Sequence, residues 1–270
     1  MEIVVANKKD WTHPNSGGVE THLKETLSRL SQKGHKIHLF TSRYPGAEPK
    51  EEIDGVKIHR YGVPRTTNEM IILGPGQLFF NKLIWEKNPD IVYTVNSIMG
   101  WIPLLKRDKQ IVGIHHLNGK TLFRQLKPPF NIIGYLSEKL SMLLAKKKDV
   151  LTVSPEIKDE LVDSYGLEEE RISEVRNGVS MPKKTVNEKN EKPTVLFLGR
   201  LEHSKGVDML PQINSKMKEK FGDYRLEIAG RGRKEEDVRN LSKQNENINF
   251  HGYVSEEKKL ELLSSAWLLI

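Results

Sequence analysis

Residues 195–208, with the sequence VLFLGRLEHSKGVD, constrain the fold of this chain more than any other segment. The apolar, β-branched run Thr194–Leu198 predicts a buried strand that stops at Gly199. Gly206 then opens a helical pattern of apolar residues that continues through Lys220. A strand, a loop and an amphipathic helix in this order are typical of an open α/β sheet.

The loop of this segment contains two cations, Arg200 and Lys205, at the carboxyl end of the predicted strand. In open α/β sheets, ligands bind at that edge. Arginine offers a planar fork of donors and lysine a point charge, which together match a pyrophosphate. The residues alone leave a second interpretation open, a solvated loop with two surface cations.

The ten residues GRLEHSKGVD closely resemble the nucleotide-sugar motif of the retaining glycosyltransferases of family four, which have the GT-B fold. The resemblance implies that Arg200 and Lys205 hold the diphosphate of a nucleotide-sugar donor. It also implies an α/β fold class with two Rossmann-like domains facing a cleft. Further segments along the chain resemble the same family in order and spacing.

The amino-terminal segment predicts a βαβ unit, with strands over 3–6 and 36–41 and a helix that starts at Gly17 and Gly18. Two glycines at a helix start can offer N–H groups to a phosphate, or can form a plain tight turn. The segment GGVETHLKETLSRLSQKGHKIHLFT resembles the loop, helix and second strand of the family. By that resemblance, Gly17 and Gly18 face the donor diphosphate.

A predicted strand over 110–114 delivers His115 and His116 to its carboxyl end. Without nearby carboxylates the pair is a poor metal site, and either ring could be packed or solvated. The segment IVGIHHLNG resembles the family's strand and histidine loop, which implies that His115 is the catalytic-site residue on the donor-sugar side. The role of His116 stays open.

Three more residues are assigned by resemblance alone. Asn177 lies in an Asn-Gly turn that resembles the family's Asn-Gly-Val segment, with Ser180 where an aspartate is usual. Gly230 and Gly232 form a Gly-x-Gly turn, and the corresponding glycines of the family lie beside the nucleotide. In isolation, each of these patterns is a simple turn.

The expected domains are an acceptor-side domain over 1–180, a polar linker over 181–192 and a nucleotide-sugar-binding domain over 193–270. Helices are expected over 76–87 and 98–105 in the first domain. The family pattern continues past this sequence with two glutamates that contact the donor sugar. The resemblance therefore implies a carboxyl-terminally truncated form with an incomplete second domain and doubtful activity, either a fragment or a natural truncation.

The amino-acid composition limits the classes of partner that we expect. The net charge of +7 suits an anionic ligand or an anionic membrane surface, and no nucleic-acid-binding signature is present. Zero cysteines exclude disulfides and thiolate zinc sites and suit a cytoplasmic protein. The apolar segment 122–145 ends in three lysines; its apolar share favours a core helix, and the alternative is a surface helix lying peripherally against the inner membrane face.

The predicted function is retaining transfer of a hexosyl group from a nucleotide sugar to a hydroxyl of a glycan or lipid-linked acceptor. We expect no metal and no other cofactor, because Arg200, Lys205 and helix amino termini can offset the charge of the leaving diphosphate. The alternatives are a nucleotide-sugar epimerase of the same fold and a non-catalytic nucleotide-binding protein. An NAD dehydrogenase is disfavoured, because no GxGxxG follows the first strand.

Overall fold

The chain forms two compact units, Met1–Gly178 and Val179–Ile270. The computed structural model describes residues 1–62, 86, 88–96, 110–179 and 188–270. The helix expected over 98–105, the helix expected over 76–87 except Glu86, and linker residues 181–187 lie outside the described residues. The linker and domain limits proposed from the sequence stay predictions.

The described residues of the first unit form an eight-stranded sheet whose strands follow the order β3-β4-β2-β1-β5-β6-β7-β8. Neighbouring strands are parallel, except that β3 and β4 are antiparallel. The strands are β1 Glu2–Ala6, β2 Lys36–Ser42, β3 Lys50–Ile53, β4 Val56–Tyr61, β5 Ile91–Asn96, β6 Gln110–Ile114, β7 Asp149–Thr152 and β8 Ile172–Glu174.

Helices cover this sheet, as expected for parallel strands whose side chains are apolar on both faces. The described α-helices are α1 Gly18–Gln32, α2 Leu122–Gln125, α3 Phe130–Ala145 and α4 Pro155–Tyr165. Leu23 and Leu27 of α1 pack in one core cluster with β1, β2 and β4. Met142 and Ala145 of α3 pack in another cluster with β6 and β7.

The core interpretation of segment 122–145 is wrong for most of its large apolar side chains. The buried face of α3 consists mainly of small and polar residues: Asn131, Gly134, Glu138, Ser141, Met142 and Ala145. The large apolar residues are exposed: Phe130, Ile132, Ile133, Leu136, Leu140 and Leu143. High apolar content predicted burial, but the packed face of α3 consists mainly of small and polar residues, and the larger apolar side chains lie on its exposed side.

In the second unit, the residues that the structure describes form a four-stranded parallel sheet in the order β11-β10-β9-β12. Its elements are β9 Thr194–Leu198, α5 Leu210–Phe221, β10 Arg225–Ala229, α6 Glu235–Lys243, β11 Ile248–Gly252, α7 Glu256–Ser265 and β12 Leu268–Leu269. The helical pattern expected from Gly206 begins as a 3-10 turn, Val207–Met209, and becomes α-helical at Leu210. The predicted α/β class with parallel sheets is confirmed. Within the described residues, no helix has the length and apolarity needed to span a membrane.

A buried ion pair fixes the loop that follows β1. The Arg60 Nε of β4 donates to Asp10 Oδ2 at 2.8 Å, and both side chains are fully buried. Arg60 also donates to Thr12 Oγ1 at 3.0 Å and to the half-exposed Glu51 Oε2 at 2.8 Å. Burial by itself would raise the pKa of Asp10, but the hydrogen bonds from Arg60 and Thr12 outweigh it and hold that pKa below its usual 3.8.

We expect Asp10→Asn to lower the free energy of unfolding by about 3 kcal/mol, because it leaves the buried Arg60 without its buried counter-charge. Urea unfolding followed by circular dichroism measures this loss. Glu51→Gln is the matched control, since it removes the exposed partner of the same arginine and should lower the stability by less than about 1 kcal/mol. Equal losses of unfolding free energy for the two variants would contradict the assignment of Asp10 as the buried counter-charge of Arg60.

The same pair predicts a pH dependence. The folded pKa of Asp10 lies below the unfolded value, so its contribution to stability is present above the unfolded value of 3.8 and is lost as the pH falls through the folded pKa. Asp10→Asn should therefore flatten the acid side of the stability curve, which urea unfolding at a series of pH values measures.

Candidate functional site

The strand order of the first sheet reverses direction at β1. The strand β1 pairs with β2 on one side and with β5 on the other, so successive strands proceed outward in opposite directions from this point. In open α/β sheets, ligands bind outside the carboxyl ends of the strands at such a reversal. Helix α1 follows β1 and therefore begins at this edge.

The glycine pair at the start of α1 is held by a buried carboxylate. The Gly17 N–H donates to Glu20 Oε2 at 2.7 Å, and Glu20 Oε1 accepts from Asn7 Nδ2 at 3.1 Å. The amide of Gly17 is therefore used within the chain. A Cβ added at Gly18 would meet open space, so the start of α1 is accessible there. That Gly17 and Gly18 face a diphosphate stays a prediction.

His115 follows β6 and forms a small cluster with His22 and Asn177. The rings of His115 and His22 make an edge-to-face contact, with their centroids 5.1 Å apart. The side chain of His22 also hydrogen-bonds to Asn177. The structure thus brings together two residues predicted as site residues and one, His22, that the sequence analysis missed. Its position one helical turn after Gly18 could have indicated it.

Burial controls the charge of these histidines. It lowers the pKa of His115 to about 4, with smaller effects from the charges of His22 and His116. Burial also lowers the pKa of His22, against the opposing effect of its hydrogen bond to Asn177. Within the described part of the chain, the buried Nε2 of His115 has no hydrogen-bond partner. At neutral pH, His115 is therefore an uncharged ring with an unused polar atom.

A buried glutamate of α3 fixes the loop beyond the histidines. Glu138 is 3% exposed, and its carboxylate accepts the backbone N–H groups of Asn118 and Gly119, each at 2.8 Å. The hydroxyl of Tyr165 donates to the same carboxylate at 3.1 Å. Several donors compensate for burying this charge. No sequence pattern marks Glu138, because it is one acidic residue in an apolar helix.

In the second unit, Arg200 and Lys205 lie in the loop after β9, and both are exposed. Within the residues that the structure describes, neither side chain has a hydrogen-bonding or ion-pair partner. Neighbouring charges are paired: Asp208 contacts His203 and lies 3.1 Å from the Nζ of Lys234. The loop therefore presents two uncompensated positive charges at the carboxyl edge of this sheet.

Gly230 and Gly232 allow two loops to pack backbone against backbone. Added Cβ atoms would overlap the carbonyl oxygens of Gly199 and Leu201, and Gly230 has a φ of 148°. The Leu201 N–H also donates to the Arg231 carbonyl at 2.8 Å. This packing explains both glycines structurally and fixes the loop that bears Arg200. Their place beside a nucleotide stays a prediction.

Within the described ranges, no three histidine, aspartate or glutamate side chains lie close enough together to hold a metal ion. The residues predicted as site residues fall in two sets. One set lies in the first unit, with Gly17, Gly18, His115 and Asn177, and the other in the second unit, with Arg200, Lys205, Gly230 and Gly232.

Comparison with known families gives two matches that together cover residues 16–270. The family model described as Glycosyltransferase Family 4 matches residues 16–181, and the one described as Glycosyl transferases group 1 matches residues 182–270.

Two curated relatives illustrate the similarity. The chain is 28% identical over 251 residues to the O-antigen biosynthesis glycosyltransferase WbnH of Escherichia coli, covering 90% of this chain and 68% of the relative. It is 24% identical, over an alignment of 294 residues, to the phosphatidylinositol N-acetylglucosaminyltransferase GPI3 subunit of Saccharomyces cerevisiae, covering 97% of this chain and 61% of the relative.

Solved structures share the fold over almost the whole chain. Sucrose-phosphate synthase from Thermosynechococcus elongatus superposes with a TM-score of 0.71 at 15% identity. The match covers 99% of this chain and 74% of the synthase chain. WaaG, a glycosyltransferase involved in lipopolysaccharide biosynthesis, gives 0.71 at 16% identity with the same coverages. Anabaena HepE, solved with UDP and glucose, gives 0.61 at 14% identity, covering 99% and 73%. The predicted GT-B fold is confirmed.

We expect the imidazole of His115 to stay neutral down to about pH 4, because burial opposes its protonation. Long-range ¹H–¹⁵N spectra of protein labelled at histidine measure this titration. His22→Gln is the control: it removes one neighbouring charge and should raise the pKa of His115 only slightly, since burial is the larger cause. Titration of His115 close to 6.5 would contradict its burial.

Proposed function

We propose a function on the premise that this chain belongs to glycosyltransferase family 4, with a second unit of the group 1 glycosyl transferases. The chain is a glycosyltransferase by family. In our proposal the donor is a nucleotide sugar, the transferred group is a hexosyl unit, and the acceptor is a hydroxyl. The proposal includes retention of the anomeric configuration, as the resemblance of the nucleotide-sugar motif implies.

The observation that carries the proposal is the pair of cations after β9, which have no partner within the described residues. Arg200 can hold two diphosphate oxygens with its planar fork, and Lys205 can add a point charge. Leaving-group departure places negative charge on the diphosphate, and fixed cations stabilise that charge as it develops. We propose that these two residues serve this purpose without a metal ion.

The first unit supplies the groups proposed for the sugar. The neutral ring of His115 can hydrogen-bond a sugar hydroxyl through the Nε2 that has no partner in the described residues. A group with a pKa of about 4 is almost fully deprotonated at neutral pH, so it cannot act as a general acid there. We therefore assign His115 a role in positioning the donor sugar, with His22 packed against its ring and Asn177 hydrogen-bonded to His22.

The acceptor is proposed from the relatives. WbnH is named for O-antigen biosynthesis, and the yeast relative is named as a subunit of a phosphatidylinositol N-acetylglucosaminyltransferase. We propose that this chain likewise uses a glycan or lipid-linked acceptor. A lipid-linked acceptor would place the chain peripherally at the inner face of an anionic membrane.

Calorimetry with UDP tests the role of the cations. Arg200→Ala and Lys205→Ala should each weaken binding by about 1.5–3 kcal/mol, the range for hydrogen bonds to charged groups. Lys216→Ala in α5 is the matched control, because it removes an exposed lysine from another part of the same unit. It should leave the affinity unchanged.

Unchanged affinity in both loop variants would overturn the assignment of the diphosphate site. Incubation with nucleotide sugars then separates the reaction classes. Transfer that requires an acceptor supports the proposal. Formation of the epimeric sugar without acceptor points to an epimerase, whereas release of the unchanged sugar is hydrolysis of the donor. Binding without either reaction would leave a nucleotide-binding protein.

A further inference from the structure

Helix α3 exposes a continuous stripe of large apolar side chains. Ile133, Leu136, Leu140 and Leu143 recur at intervals of three and four residues and therefore lie along one side of the helix. Leu136 is 58% exposed and Leu143 is 60% exposed. We call these four residues the α3 apolar face. Contiguous exposed apolar residues of this kind mark interaction sites, whereas singly scattered ones do not.

Lysines border this face. Lys139 and Lys147 are exposed, and Lys146 is half-buried at the carboxyl end of the helix. A cavity of about 440 Å³ opens next to Leu143, and its lining includes three lysines, two tyrosines and one acidic residue. These are Lys120, Lys139, Lys146, Tyr135, Tyr165 and Glu160. The cavity therefore suits a group with excess negative charge, such as a phosphate ester.

The combination of leucines and lysines favours an anionic bilayer over a second copy of this chain as the partner. In a symmetric dimer, the same patch of each copy would face the other, and the lysines would be brought together. An anionic bilayer presents the opposite charge around an apolar interior, so it satisfies both parts of the surface. The net charge of +7 adds to this attraction.

We propose that the α3 apolar face docks on an anionic lipid bilayer, with its leucines at the acyl boundary and the lysine-lined cavity at the lipid phosphates. The inference deepens the proposed membrane contact, and it rests on the proposed function only in that a lipid-linked acceptor requires such a surface. Membrane binding can be measured without nucleotide or sugar, so the two proposals fail separately.

Vesicle sedimentation tests the surface in the full chain. The protein should pellet with phosphatidylcholine vesicles that contain phosphatidylglycerol and much less with phosphatidylcholine alone. Lys139→Gln/Lys146→Gln should lower the partition coefficient about fivefold for each lysine, and added salt should reduce binding of the native chain. Leu136→Ser/Leu143→Ser should lower it at least about tenfold, on the order expected for losing a buried leucine.

Matched controls come from the second unit. Lys216→Gln/Lys243→Gln removes two exposed lysines, and Phe221→Ser removes an exposed aromatic side chain that is 54% accessible. Phe221→Ser should pellet like the native chain. Lys216→Gln/Lys243→Gln changes the net charge as much as Lys139→Gln/Lys146→Gln does, but it should lower the partition coefficient much less. Because the leucine variant changes only exposed side chains, it should keep its melting temperature and its affinity for UDP. If it unfolds, the lysine variant and the salt dependence still decide the question.

Three results would overturn the proposal. The first is equal pelleting with neutral and anionic vesicles that the lysine and leucine variants do not change. The second is a dimer in sedimentation velocity that Leu136→Ser/Leu143→Ser abolishes, without vesicle binding by the native chain. That result would assign the face to a second copy. Release from vesicles by free glycerol phosphate alone would reduce the site to a soluble phosphate site and would also contradict docking.

Discussion

Parallel strand pairing brings the carboxyl ends of the strands to one edge in each unit, and the proposed chemistry depends on that edge. In the first unit, His115 follows β6 and α1 begins beside it, so His22 reaches the same place. In the second unit, the loops after β9 and β10 lie side by side because glycines let their backbones touch. Arg200 therefore lies in a loop that is fixed by the sheet and by the loop after β10.

The two faces of helix α3 differ in what they contact and in what they are proposed to contact. Its packed face contains Glu138, whose carboxylate fixes the backbone of Asn118 and Gly119 just beyond the histidines. Its outer face contains the leucines proposed to contact lipid. Breaking these hydrogen bonds would leave a buried charge without its donors, so the contact between the loop and α3 is costly to lose. Contact with a membrane would thus be made by the same rigid element that holds the loop beyond His115.

The sequence predicted what local patterns determine. Apolar runs and glycine boundaries predicted β1, β6, β9 and the start of α1, and family resemblance predicted the GT-B fold. Sequence could not predict the contact of His22 with His115 or the clamp by Glu138, because both join residues far apart in the chain. It also predicted the wrong burial for α3, because composition indicates how apolar a helix is but not which face packs. The packed face contains small residues such as Gly134 and Ser141.

The central claim is that the carboxyl edge of the second sheet holds a nucleoside diphosphate through Arg200 and Lys205. Hydrogen exchange followed by mass spectrometry, with and without saturating UDP, tests it most directly. The account predicts slower exchange in the peptides over 199–206 and 229–232, with α5 Leu210–Phe221 unchanged as the internal reference. Bound UDP that leaves both loops unprotected, or protects only the first unit, would contradict it.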